Sequence, residues 1–231
     1  LGHAPRTALA SPAARDGGVA GADSGDGAGP GFAMLFSPAY RATTLLITAA
    51  YFFHIISFYF LLKWVPKIVV DMGFEPSSAG GVLVWASAGG ATGGALFGLL
   101  LRRVALKKLT LVAMALSIIA IIGFGAGSAD LAQLSIVAAV TGMATNAAVV
   151  GLYALLAEAF PASLRGAGTG FAIGVGRAGA AIAPILAGIL FQAGLGLQSV
   201  AMVMSMGSAI AAIILFIWRG ARGGAGGAAG A

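Results

Sequence analysis

The 231-residue chain is 59% hydrophobic and only 9% charged, far below the ~25% charge of soluble domains, so a membrane protein is expected. Its thirteen Lys and Arg outnumber seven Asp and Glu, but they fall between apolar spans, which makes them a topology signal and not the footprint of a nucleic-acid partner. With no cysteine, and only His3 and His54 as imidazoles, disulfide and thiolate chemistry are excluded and no metal site is expected.

Residues 1–36 are rich in Gly, Ala, Asp and Ser and read as a disordered linker that can bury no core. The chain begins at Leu1 without a basic run leading into a short apolar one, so no signal peptide is expected and the start reads as that of a fragment. Ser37-Pro38 reads as a helix start. Six apolar spans follow, at about 41–62, 79–101, 109–125, 130–156, 166–191 and 198–218, giving an all-α membrane protein with six transmembrane helices.

In the first span Tyr51, His54 and Phe58 share one helical face, and Lys63, Trp64, Pro66 and Lys67 close it as an interfacial anchor. The second carries Gly90, Gly94 and Gly98, and Gly89 and Gly93, at the four-residue spacing that lets helices approach closely. Arg102, Arg103, Lys107 and Lys108 form the next turn. The third span is uniformly aliphatic and is expected to face lipid. The fourth, after Asp130, is mixed, with Gln133, Thr141, Thr145, Asn146 and Tyr153; Thr145 and Asn146 are buried by position and need partners. A link from Glu158 to Arg165 leads to the fifth span, where Gly166, Gly170 and Gly174 are again four apart and Pro184 is expected to kink the helix. The sixth ends near Trp218, with Arg219 and Arg222 just beyond in a disordered tail, residues 220–231.

Six spans place both ends on one side. Arg41, Arg102, Arg103, Lys107, Lys108, Arg165, Arg219 and Arg222 lie on that side, against Lys63 and Lys67 opposite. The positive-inside rule makes the side of the termini cytoplasmic, in an inner or plasma membrane.

Arg177 is the one fixed charge deep inside a span. It lies twelve residues after Arg165, or roughly 18 Å up a helix, near the middle of a hydrocarbon core about 30 Å thick. A guanidinium there costs at least ~2.5 kcal/mol on insertion scales unless it meets a wet cavity or a partner. No acidic residue in the spans can pair with it, and Glu158 is about 28 Å away by helical rise. Arg177 therefore reads as the anchor for a small anionic substrate. The alternative is a structural ion that holds backbone carbonyls.

The stretch Glu158-x-x-Pro161-x-x-x-Arg165-Gly166-x-Gly168-x-Gly170 resembles the link between helices ten and eleven of major facilitator superfamily transporters. GALFGLLLRRVALKK is similar to their turn between helices eight and nine. Tyr59-x4-Trp64-x-Pro66 and Gly174-x-Gly176-Arg177-x-Gly179 resemble the aromatic acid:proton symporter branch. The resemblance covers about residues 35–220 and implies half of a twelve-helix fold. The six spans would be helices seven to twelve, and the partner half with its paired aspartates would lie outside this sequence. It also implies that the first, second, fourth and fifth spans border a central cavity. Leu101 stands where family members usually carry an Asp, which removes one gating salt bridge.

The function this implies is proton-coupled carriage of an organic anion, an aromatic carboxylate above all, by alternating access. Arg177 would fork the carboxylate. Tyr51, Phe58, Trp85 and Asn146 would line the substrate site, and His54 would titrate or relay the coupling proton. Arg102, Glu158 and Arg165 would form a cytoplasmic gate, Glu158 being the natural partner of Arg165. The blander readings are an interhelical hydrogen-bonded histidine for His54 and packing contacts for Asn146 and Thr145. Other function classes are a stand-alone six-helix membrane protein without a transport cycle, or a carrier of a non-aromatic metabolite. An intramembrane enzyme lacks its parts, because no Cys, Asp or Glu lies inside a span. No cofactor is expected beyond protons as coupling ion, and lipid is the obligate surrounding.

Overall fold

A computed structural model describes residues 30–127 and 130–218. Residues 1–29, the C-terminal tail, Arg219 and Arg222 lie outside the described residues. Seven helices run in chain order: α1 (Pro30–Met34), α2 (Arg41–Asp71), α3 (Pro76–Leu100), α4 (Leu106–Gly125), α5 (Leu131–Glu158), α6 (Ala162–Gln192) and α7 (Leu197–Ile217). Among the described residues α2 to α7 are six helices long and apolar enough to cross a membrane. Large apolar side chains such as Ile119, Ile136, Ile185 and Phe216 stay exposed on the outside of the bundle, as a lipid solvent permits and water does not.

Several helix ends differ from the sequence reading. The expected linker is not wholly structureless: α1 and the turn after it bring Phe32 and Phe36 edge-on against Phe171 of α6, at 5.7 and 5.3 Å between ring centroids. Leu35 is fully buried and its carbonyl accepts from the Thr44 hydroxyl at 2.9 Å. A run of aromatics next to an apolar bundle thus finds surface to cover. The helix start expected at Ser37-Pro38 falls at Arg41, and the Ser37 carbonyl accepts from the amides of Tyr40 and Arg41 in the turn before it. Helix α2 does not close at Pro66 but runs on to Asp71, where Lys67 and Asp71 pair at 2.8 Å one turn apart. Pro76 occupies the first turn of α3, where its missing N–H costs nothing. Asp130 caps α5, accepting from the amides of Ala132 and Gln133. Pro184 sits inside α6, which continues unbroken to Gln192.

Small residues set the packing. The buried face of α6 carries Gly168, Ala172, Gly176, Gly179, Ala183 and Ala187; Gly176 and Gly179 lie against Tyr51 and Phe52 of α2, and Gly168 against Phe160, so small residues let the two helices run side by side. Helices α3 and α5 meet as closely: a Cβ added at Gly89 or Gly93 would stand 2.0 or 2.1 Å from the carbonyl oxygens of Ala139 and Met143. Gly142 returns the same fit against the carbonyl of Ala86. The expected ladder Gly166, Gly170 and Gly174 meets nothing within the chain. All three lie exposed on the other face of α6, so spacing alone picked the wrong row for internal packing.

Helices α4 and α7 pack on each other and on α5 and α2. The Lys107 ammonium donates to the carbonyls of Phe216 and Trp218. It thereby satisfies the free C-terminal end of α7 with a favourable charge. The two flanking helices, α3 and α6, are the least buried of the six.

Candidate functional site

Arg177 is at the midpoint of α6: fifteen residues precede it from Ala162 and fifteen follow to Gln192. Gly166, Gly170 and Gly174 lie on the same side of the helix as Arg177, all four within about 80° of one another at 3.6 residues per turn. Arg177 is exposed there and forms no hydrogen bond or ion pair with any other described residue.

The guanidinium borders a recess of about 40 Å³ between three helices. Helix α2 contributes Tyr51, Ile55, Phe58 and Tyr59, α5 contributes Val149 and Tyr153, and α6 contributes Arg177 and Ala180. Gly176 makes this assembly possible. A Cβ at that position would stand 2.1 Å from Cδ1 of Tyr51, so only glycine lets the Tyr51 ring reach the α6 backbone beside Arg177. The Arg177 charge acts electrostatically on the Tyr51 phenol. Tyr51 is 2% exposed and its hydroxyl is 3.0 Å from that of Tyr153, the rings tilted at 5.5 Å between centroids.

Of the residues singled out in the sequence, the fold thus brings together Arg177, Tyr51 and Phe58. Trp85 is 59% exposed on α3 and does not border the recess. Asn146 is turned to packing: its amide donates to the Gly90 carbonyl at 2.7 Å, across the tight α3–α5 contact. Tyr153 and Tyr59, named in the sequence only as a polar residue of the fourth span and as part of a family motif, join the recess although neither is among the expected site residues. The available signal was the i, i+3, i+7 row Asn146, Val149, Tyr153 on one face of α5.

His54 takes the geometry of an interhelical tie. It is completely buried, with Nε2 3.1 Å from the Thr145 carbonyl of α5 and Nδ1 3.0 Å from the Ser208 hydroxyl of α7. A carbonyl only accepts, so Nε2 carries the proton and Nδ1 of the neutral ring accepts from Ser208. Ser57 completes the knot, donating to the Met204 carbonyl and accepting from the Ser208 amide. Three residues turn a helix by about 300°, enough to carry His54 off the Tyr51 face and away from the recess.

At the end of the bundle where the basic residues gather, Arg102 and Arg103 line an open hollow with Leu99 and Leu100. Glu158 and Arg165 are both exposed and form no ion pair with each other among the described residues. The expected partnership fails because an exposed pair gains only ~0–1 kcal/mol, too little to fix two mobile side chains. Among the described residues no group of His, Cys, Asp or Glu is arranged to hold a metal ion.

Residues 47–229 match the Major Facilitator Superfamily. The chain is 33% identical over 81% of its length to the 3-(3-hydroxy-phenyl)propionate transporter of Escherichia coli strain K12, covering 46% of that protein. It is 27% identical over 79% of its length to a gallate transporter of Pseudomonas putida, covering 40% of it. It is 30% identical over 69% of its length to the benzoate transport protein of Acinetobacter baylyi, covering 34%. The chain spans less than half the length of each of these relatives.

Proposed function

The chain belongs to the Major Facilitator Superfamily, and from that premise we propose that it is the carboxy-terminal half of a twelve-helix, proton-coupled transporter for aromatic carboxylates. The observation that carries the reading is Arg177. A permanent cation stands at mid-helix depth, free of protein partners among the described residues, over a recess walled by Tyr51, Phe58, Tyr59 and Tyr153. That combination suits a carboxylate attached to a ring: a charged fork for the anion and aromatic surface beside it. The three relatives named above are transporters of aromatic acids by name.

The reading also accounts for the open face. A recess of about 40 Å³ is well below the ~300–1,000 Å³ of sites that enclose a small ligand, so a second wall is required. The thinly buried flanks α3 and α6 and the open row Gly166, Gly170, Gly174 suit contact with a further set of helices. The two halves would rock about a site at mid-depth, with both ends of this chain on the cytoplasmic side. His54 is engaged within the bundle, so the proton-carrying group belongs on the facing half.

The test is uptake of labelled benzoate and gallate by cells expressing the whole reading frame that encloses this chain. Saturable uptake that collapses with the proton gradient and is lost in Arg177→Ala supports the proposal. Saturable uptake unchanged in Arg177→Ala removes it.

A further inference from the structure

We infer that the Tyr153 hydroxyl donates a second hydrogen bond to the carboxylate held by Arg177, with Tyr51 fixing the direction of that donation. The inference rests on the anion-carrier reading above and adds a residue that fixes how the anion is gripped.

The argument starts from one shared hydrogen bond. The Tyr51 and Tyr153 hydroxyls are 3.0 Å apart, and each phenol has a single hydrogen. One hydroxyl donates to the other, and the acceptor keeps its own hydrogen for another partner. The two choices are unequal. Tyr51 is 2% exposed and Tyr153 is 39% exposed. If Tyr153 donated, the Tyr51 hydrogen would be stranded in a buried place, whose full desolvation cost is not recovered. Tyr51 therefore donates to Tyr153, and the Tyr153 hydrogen is left to turn into the recess that Arg177 also lines.

Size then selects what receives it. The enclosed part of the recess, about 40 Å³, has room for a carboxylate head, and the bulk of a ring falls in the open part that the second wall would close. The group that enters carries two oxygens and a negative charge, and the recess is lined by Arg177, by the Tyr51–Tyr153 hydroxyl pair and by Tyr59; of the paired hydroxyls, Tyr153 is the one with a hydrogen to spare. The ring of the ligand stays outside, against Phe58 and whatever faces it. Tyr153 consequently recognises the acid group common to all such ligands and is blind to ring substituents. The hydrogen bond that Tyr153 accepts from Tyr51 polarises its own O–H toward a further acceptor.

The experiment measures KM and maximal rate for benzoate and for 4-hydroxybenzoate in the complete transporter carrying Tyr153→Phe, Tyr51→Phe or no change, with melting temperature in detergent as the fold control. Tyr153→Phe is expected to raise KM for both acids by the same factor, about tenfold or more, with the maximal rate and melting temperature kept. Tyr51→Phe, which leaves Tyr153 its hydrogen, is expected to raise KM only a few-fold. Unchanged KM in Tyr153→Phe, a loss confined to the hydroxylated acid, or a loss in Tyr51→Phe as large as in Tyr153→Phe would each overturn the inference while leaving the carrier reading intact. A wild-type protein that takes up neither acid overturns both.

Discussion

The Tyr51 ring lies against the α6 backbone at Gly176, so close that a Cβ there would come within 2.1 Å of Cδ1. This contact sets the recess, because Gly176 immediately precedes Arg177 and Tyr51 holds Tyr153. Gly176→Ala must push the ring or the helix aside. The expected cost is about 1–3 kcal/mol of overpacking, together with loss of carboxylate uptake. Gly174→Ala, whose Cβ meets nothing within 4 Å in this chain, should leave the melting temperature of this six-helix unit unchanged or slightly raised. Thermal melts of the two variants in detergent decide the matter. Equal destabilisation would mean that the Gly176 contact is not special.

His54 provides the second prediction. It bridges α2 to α5 and α7 through two hydrogen bonds. Interhelical bonds in membranes average ~0.6 kcal/mol and reach ~1.7, so His54→Ala is expected to cost about 1–3 kcal/mol in total. The pH profile of uptake should keep its shape, because the ring is engaged within the bundle and away from the recess. Uptake measured across pH in the complete transporter checks this. A flattened profile with unchanged melting temperature would restore His54 as the proton group.

Asn146 gives a third. Its amide bonds the Gly90 carbonyl on a neighbouring helix, within a contact already held by Gly89, Gly93 and Gly142. Asn146→Ala should cost about 0.6–1.7 kcal/mol of stability and leave the KM for benzoate unaltered. A large KM increase with intact stability would place Asn146 on the substrate.

The membrane architecture was readable because hydropathy and basic turns are properties of whole segments, insensitive to where any one side chain points. Arg177 was readable because a fixed charge in an apolar span is costly wherever it faces. What stayed hidden depended on rotation about helix axes. Tyr51 and His54 are one turn apart in sequence, yet one borders the recess and the other is tied between α5 and α7. Gly166, Gly170 and Gly174 have the spacing of a packing row, but α6 packs through Gly168, Ala172, Gly176 and Gly179. Tyr153 gained meaning only from Tyr51, 102 positions away in sequence. The run from Pro30 to Leu35 read as linker by composition, because its few apolar residues matter only where Phe171 is there to receive them.

The central claim is that Arg177 holds the anion. Its most direct test is the affinity of the purified complete transporter for benzoate, measured by calorimetry for the wild type, Arg177→Lys, Arg177→Ala and the control Arg165→Ala. The account predicts binding that weakens in Arg177→Lys, where the planar fork is lost, disappears in Arg177→Ala, and persists in Arg165→Ala. Binding of benzoate by Arg177→Ala with the affinity of the wild type would contradict it.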